Sequence, residues 1–301
     1  MTENMIARPV ILETVAGARS ALEGRTDVVL VPTMGALHKG HLALVERALE
    51  LGQSVVVSIF VNPLQFGPTE DLDAYPRSLD EDIDKLHALG VPFVFAPSVE
   101  EMYPVGAVQS RVTAGNVGGM YEGRSRPGHF DGMLTVVTKL LNIIRPSTVV
   151  FGQKDAQQVF LVRRMVGDLN LQVRVEVVDI VRDENGLALS SRNRFLDSRE
   201  THAARSISQA LEAAASSADR GIDAVLAAAQ GTLMGESLIA LDYLKGSAPT
   251  PSCPSTTDTA ALPWCSLPPG LARRASSTMR KSFSSDFFFL ELFFELFTTT
   301  R

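Results

Sequence analysis

A chain of 301 residues, 45% apolar and 21% charged, can bury a large core, exceeds one average domain and has the composition of an ordinary globular protein. A formal net charge of −6 leaves no basic footprint for nucleic acid, and no window of roughly 18 or more uninterrupted apolar residues offers a membrane span. No charged-then-apolar leader opens the chain, and both cysteines, Cys253 and Cys265, lie late, so a cytoplasmic protein without a disulfide framework is expected.

"TDVVLVPT" is a β-branched apolar run ending in a turn, and predicts a buried strand. "HLALVERALELG" has helical apolar spacing and stops at Gly52. "SVVVSIFV" reads as a second buried strand. "SLDEDIDKLHALG" reads as a helix with Ser78 as N-cap and acids in its first turn. "VPFVFAP" predicts a strand, "LTVVTKLLNIIRP" a helix ended by Pro146, "STVVFG" a strand, "DAQQVFLVRRMVGDL" a helix and "VRVEVVDIV" a strand followed by a turn. Helices alternating with strands apolar on both faces predict an α/β, Rossmann-like parallel sheet covered on both sides. From Glu200 the texture becomes Ala-rich: two helices, then a strand at "ESLIALDYLK", predict a smaller α/β domain. The expected division is 1–180 for nucleotide and substrate, 181–245 for a partial C-terminal domain, and 246–301 for an aberrant, disordered tail.

Chemistry-bearing residues cluster after the strands, where open α/β sheets bind ligands. "VPTMGALHKGH" places His38 and His41 at an incoming helix N-terminus, whose free N–H groups suit phosphate, with Gly35 and Gly40 permitting close backbone approach. The pair could instead bind metal, but its spacing is i, i+3 without the adjacent Glu of the helical zinc motif. A structural pair, or chance recurrence of so short a motif, also stands open. After the second strand, Asn62 and Gln65 offer amides that can orient a carboxylate or hydroxyl, or merely cap a loop. Lys154 follows the strand at 148–152 and is placed for phosphate charge, with Asp155 as a possible cap. Ser190, Ser191 and Arg192 can hold phosphate or form a plain turn. The acids Asp80, Glu81 and Asp82 read as a solvated helix start, with contact to Mg2+ as the alternative.

Taken together and in order, "VPTMGALHKGHLALV", "SIFVNPLQF", "DLDAYPR", "RPGHFDGMLTVV", "FGQKDAQQ" and "GLALSSRNRFL" resemble the pantothenate synthetase (pantoate–β-alanine ligase) family over roughly Thr26 to Lys245. The His-x-Gly-His element alone is shared with other nucleotidyltransferases. Lys39, Gln153 and Ala156 are mild departures, standing where Glu, Glu and Tyr are common. The resemblance implies that pantoate attacks the α-phosphorus of Mg-ATP, and that β-alanine then displaces AMP from pantoyl adenylate. It implies ATP contacts from Met34, Gly35, Ala36, Leu37, His38, Lys39, Gly40 and His41, from Gly152, Gln153, Lys154 and Asp155, and from Val181, Leu189, Ser190, Ser191 and Arg192. His41 takes a proton-donor role with His38 beside it, and Lys154 lies on the phosphates. Gln65 and Gln158 hold pantoate, Gln65 also nears β-alanine, and Asn62 and Tyr75 line that pocket. His129 lies in a family motif and takes no assigned role. The metal ligands stay unknown. A homodimer is implied, with neither nucleic acid nor membrane as partner.

After Lys245 the motifs stop. The following stretch lacks periodicity, is rich in Ser, Thr and Pro, and ends in the Phe-rich "FFFLELFFELF". Reverse translation of Ser252–Arg280, read from each codon's third base with mostly G/C-ending codons, can yield a strand-like string resembling the family's C-terminal segment. A frameshift near Lys245–Gly246 is therefore expected, leaving "LIALDYL" without strand partners and impairing the small domain that, by the resemblance, covers the nucleotide site. A catalytically impaired ATP-binding remnant, or another nucleotidyltransferase of the same class, is the alternative reading.

Overall fold

The computed structural model describes residues 7–67, 72–73, 75–106, 108–247 and 289–295, with side chains as far as Ile239. The chain divides into two compact units, Met1–Glu184 with Ala188–Phe195, and Asn185–Leu187 with Leu196–Arg301. The division thus falls near residue 195, later than the expected 180. A bridge between Arg182 and Ala188, and a bond from Leu189 N–H to the Val181 carbonyl (3.0 Å), fold the Ser-Ser-Arg segment back into the first unit.

The first unit holds strands β1 (Val10–Leu12), β2 (Val28–Thr33), β3 (Ser54–Ile59), β4 (Phe93–Phe95), β5 (Thr148–Gly152) and β6 (Arg174–Val178). They form one parallel sheet in the order β1-β4-β3-β2-β5-β6. Its helices are α1 (Val15–Ala21), α2 (Lys39–Leu51), α3 (Leu79–Ala88), α4 (Val99–Met102), α5 (Glu122–Ser125), α6 (His129–Ile144) and α7 (Ala156–Asp168). Alternation along the strands sends side chains to opposite faces. Val28 and Leu30 of β2, with Val56, Phe95 and Phe151, join a core built from α1, α6 and α7. Val29, Val31, Val55, Val57 and Val150 join a second core built from α2 and α3. Helices on both faces explain why these strands read as unbroken apolar runs.

The chain builds outward from β2 through β3 to β4, then returns to place β5 on the other side of β2. The sheet's topological switch point therefore lies between β2 and β5, and the loops leaving both strands open onto one crevice. The α2 helix ends where expected, with Gly52 N–H on the Ala48 carbonyl (3.2 Å). The α6 helix ends at Arg145, held in the left-handed region (φ 51°) before Pro146, which cannot continue the helix. Ser78 sits at the N-cap position of α3 but makes no side-chain cap bond, correcting the sequence reading. The short elements β1, α1, α4 and α5 carry no long periodic pattern and were not expected.

In the second unit, α8 (Ser198–Ala215) and α9 (Ile222–Leu233) pack through Ala210, Ala214, Val225, Ala229 and Leu233. A reciprocal cap between Asp197 and Glu200 starts α8. Strand β7 (Ala240–Ser247) pairs antiparallel with β8 (Phe289–Glu295). The backbone of β7 thus has a strand partner where the sequence reading expected an unpaired edge. The rest of the proposed tail, with Cys253 and Cys265, lies outside the described residues.

One close approach bears on the site. A Cβ at Gly132, in the first turn of α6, would lie 1.9 Å from the Leu64 carbonyl oxygen and 2.9 Å from Gln65 N. Overpacking of this kind costs about 1–3 kcal/mol. Gly132→Ala is expected to lower unfolding free energy by that amount in urea titration despite alanine's better helix propensity, and a neutral or stabilising effect would show that the loop moves freely.

Candidate active site

The loop between β2 and α2 is shaped by a buried acid. Gly35 (φ 85°) and Ala36 (φ 52°) are successive left-handed residues, and the second is costly for a side chain with a Cβ. Asp82 accepts hydrogen bonds from Ala36 N–H and Leu37 N–H, both at 2.8 Å, and its side chain has no exposed surface. Lys85 stands 3.5 Å from Asp82 and donates to the Leu37 carbonyl at 2.9 Å. The solvated-helix-start reading of Asp82 is corrected: both carboxylate oxygens hold the loop.

Past Leu37 the chain enters α2 through its histidines. Gly40 N–H donates to His38 Nδ1 (3.1 Å), and His38 N–H donates to His41 Nδ1 (3.3 Å). A backbone N–H is only a donor, so each Nδ1 is the unprotonated nitrogen and each Nε2 carries the proton. The rings lie 4.0 Å apart between centroids. Burial, then the positive charge of Lys154, lowers the pKa of His38. Burial, then His38, pushes that of His41 down to about 3. The pair is neutral at physiological pH, with two Nε2–H donors.

Both imidazoles line a cavity with Met34, Gly40, Gln65, Tyr75, Gly152, Lys154, Asp155, Gln158, Val181, Leu189, Ser190, Ser191 and Arg192. Residues Gly35, Ala36, Leu37, Lys39, Gln153 and Asn62 do not line it. Leu37 is buried in the α2 core, and Lys39 is exposed on the first turn of α2. Lys154 projects from the end of β5, 3.6 Å from Asp155, which occupies the α7 N-cap position without a side-chain cap bond. The Ser190–Arg192 turn is held by Asn193, whose Nδ2 donates to the Ala188 carbonyl (3.0 Å), and by Arg192 N–H on Ser190 Oγ (3.3 Å).

Sequence reasoning gave no role to three further cavity residues: Glu122, which it passed over, and Arg126 and His129, which it saw only as part of the "RPGHF" motif. Arg126 pairs with Glu122 at 3.0 Å, both largely buried, and approaches His129 Nε2 at 3.2 Å. His129 Nδ1 donates to the Gln65 carbonyl at 2.9 Å, which fixes its tautomer. Burial, then the charge of Asp155, pushes the Glu122 carboxyl up against the pull of Arg126. The signal was "EGRSRPGHF": acid, arginine and histidine within eight residues, on elements too short for a periodicity reading.

Comparison with known proteins places this geometry in context. The sequence profile described as Pantoate-beta-alanine ligase matches residues 10–262, wider at both ends than the motif resemblance. The chain is 58% identical over 239 residues to a pantothenate synthetase of Leifsonia xyli subsp. xyli, covering 78% of this chain and 83% of that one. The fold matches the crystal structure of a pantothenate synthetase from Thermus thermophilus with a TM-score of 0.76 at 47% identity, covering 78% of this chain and 86% of that one. It also matches a pantoate-beta-alanine ligase from Francisella tularensis, complexed with beta-gamma ATP and beta-alanine, with a TM-score of 0.69 at 36% identity, covering 79% and 89%.

The neutral state of His41 predicts a pH dependence. Its pKa is lowered from 6.5 to about 3, so below 6.5 the unfolded chain binds a proton that the folded chain refuses. The stabilising difference is complete above 6.5 and is lost as pH falls toward 3. Urea unfolding at stepped pH is expected to show wild type losing stability faster than His41→Gln across that window, and parallel curves would contradict the assignment.

Proposed function

Because the chain belongs to the pantoate-β-alanine ligase family and joins pantoate to β-alanine with ATP as co-substrate, we propose that its switch-point cavity carries both half-reactions of that ligation. The observation that carries the reading is convergence: His38 and His41 after β2, Lys154 after β5, and Gln65 and Gln158 all line one cavity. In the first step a carboxylate oxygen of pantoate attacks the α-phosphorus of ATP, and the bond to the bridging oxygen of pyrophosphate breaks. In the second the β-alanine amine attacks the acyl carbon, AMP leaves, and the amine gives up a proton.

No side chain forms a covalent intermediate in this scheme, so the protein acts by positioning and by stabilising charge. His41 and His38 donate through Nε2–H to phosphate oxygens, and Lys154 offsets charge that builds on them. The Ser190–Arg192 turn holds phosphate by hydroxyl, amide and guanidinium, while Met34, Gly152, Val181 and Leu189 frame the nucleotide. Gly35, Ala36 and Leu37 act through the loop's shape, and Lys39 and Gln153 stand outside the cavity. Gln65 and Gln158 hold pantoate, with Tyr75 beside them. The complex of the Francisella relative with beta-gamma ATP and beta-alanine supports ATP and β-alanine as ligands. Among the described residues no group of three or more His, Cys, Asp or Glu forms a metal cage. Mg2+ would arrive on the ATP phosphates, and the carboxylates that line the cavity and could meet it are Glu122, Asp155 and Asp179. A homodimer in the cytoplasm is proposed on the family resemblance.

The segment after Lys245 carries a separate proposal, a shift of reading frame, supported by its Ser-, Thr- and Pro-rich, aperiodic composition. The coding DNA decides: a family-like strand read from the third base of each codon supports the shift, and its absence makes the segment native.

His41→Ala is expected to slow pyrophosphate release by about 100- to 1,000-fold, the cost of one charge-stabilising donor, with ATP affinity far less affected. Release at the wild-type rate would remove His41 from the chemistry.

A further inference from the structure

Asn62 was expected to touch substrate, yet it is wholly buried and does not line the cavity. Its hydrogen-bonding capacity is already filled. Oδ1 accepts from Leu64 N–H (3.3 Å) and from the Tyr103 hydroxyl (2.7 Å). Nδ2 donates to the Gly132 carbonyl (3.1 Å) and to Gln65 Oε1 (2.9 Å). An amide has two donor hydrogens and two acceptor lone pairs, so nothing remains for a ligand.

The orientation of this amide is set by backbone. Leu64 N–H can only donate, so it faces Oδ1; the Gly132 carbonyl can only accept, so it faces Nδ2. With Asn62 fixed, the group it offers Gln65 is a donor, and Gln65 must answer with Oε1. The Gln65 main chain is held as well: its N–H donates to the Asn62 carbonyl (3.2 Å), and its carbonyl accepts from His129. The absence of a Cβ at Gly132 is what lets the α6 backbone come near enough to anchor the amide.

From this chain of contacts we propose that Asn62 is a positioning residue that locks the Gln65 amide with its NH2 group toward the cavity, so that Gln65 reads an acceptor oxygen and discriminates against a donor. The inference rests on the reading of the cavity as a pantoate site. There the matching group is a carboxylate, carbonyl or hydroxyl oxygen of pantoate, or the carboxylate of β-alanine, and never the β-alanine amine. Inverting the amide would set a lone pair against those oxygens.

The test uses the full 301-residue chain and calorimetric titration with pantoate and with ATP. In Asn62→Asp, an acceptor replaces Nδ2 and Gln65 turns to donate to it, presenting Oε1 to the cavity. Pantoate affinity is expected to fall by about 10- to 100-fold, the scale of a lost hydrogen bond to a charged group, with ATP affinity unchanged. The same substitution in a Gln65→Ala background is expected to change pantoate affinity by less than about twofold, since no amide is left to orient. Equal losses in both backgrounds would show a merely structural role and overturn the proposal. Gln65→Glu, in which Asn62 keeps an acceptor partner, covers the case in which Asn62→Asp does not fold. It is expected to abolish pantoate binding, because a charged acceptor replaces the donor; retained binding would show that Gln65 presents its oxygen, and would overturn the proposal. Failure of the wild-type chain to bind pantoate would instead overturn the underlying assignment of the cavity, and this inference with it.

Discussion

Two hydrogen bonds to one buried carboxylate govern the geometry of the site. Asp82 takes the N–H groups of Ala36 and Leu37 at a bend where two successive residues lie in the left-handed region. Without a partner those amides would face the interior unpaired, and each would cost about 1–3 kcal/mol. A charged acceptor supplies more than a neutral one, and Lys85 fixes the Leu37 carbonyl from the other side. The exposed pair between Arg8 and Asp84, with side chains 63% and 69% exposed, contributes little by comparison. The bend puts Leu37 into the α2 core and sends the next residue, His38, into the N-cap of α2.

From that entry the remaining chemistry follows. Main-chain N–H groups occupy both Nδ1 atoms, which leaves each imidazole of the cavity wall an Nε2–H donor without a charge that burial would oppose. The parallel sheet delivers Lys154 to the same crevice because β5 lies beside β2, across the switch point. Preorganised donors and one lysine cation suit a reaction in which the charge moves along phosphates and the protein forms no bond.

Much of this was legible in the residues. Strands such as "DVVLVPT" and helices such as "HLALVERALELG" declare themselves because burial on both sheet faces and helical spacing both leave periodic marks. His38, His41, Lys154 and Ser190–Arg192 were visible as polar clusters behind strands. Asp82 was not: in "SLDEDIDKL" it looks like its acidic neighbours, and only the fold shows that it alone turns inward. Asn62 was read as a ligand because an amide on a functional loop serves equally well as a contact or as a support for one. The choice between those roles depends on Gly132 and Tyr103, distant in sequence. Glu122 escaped notice on a helix of four residues, and Arg126 beside it was seen in a motif but given no role. The turn after β6 was legible, but not that the short hairpin between Arg182 and Ala188 carries the Ser-Ser-Arg segment back into the first unit and moves the division to near residue 195.

The claim on which the rest depends is that Asp82 holds the histidine loop in its binding shape. Asp82→Asn leaves side-chain volume almost unchanged but replaces one acceptor oxygen with an NH2 group facing a backbone N–H. Calorimetric titration of this variant with ATP is predicted to show affinity weaker by about tenfold or more, the equivalent of one charge-assisted hydrogen bond. Affinity equal to that of the wild-type chain would contradict the account, because the loop would then keep its shape without the carboxylate.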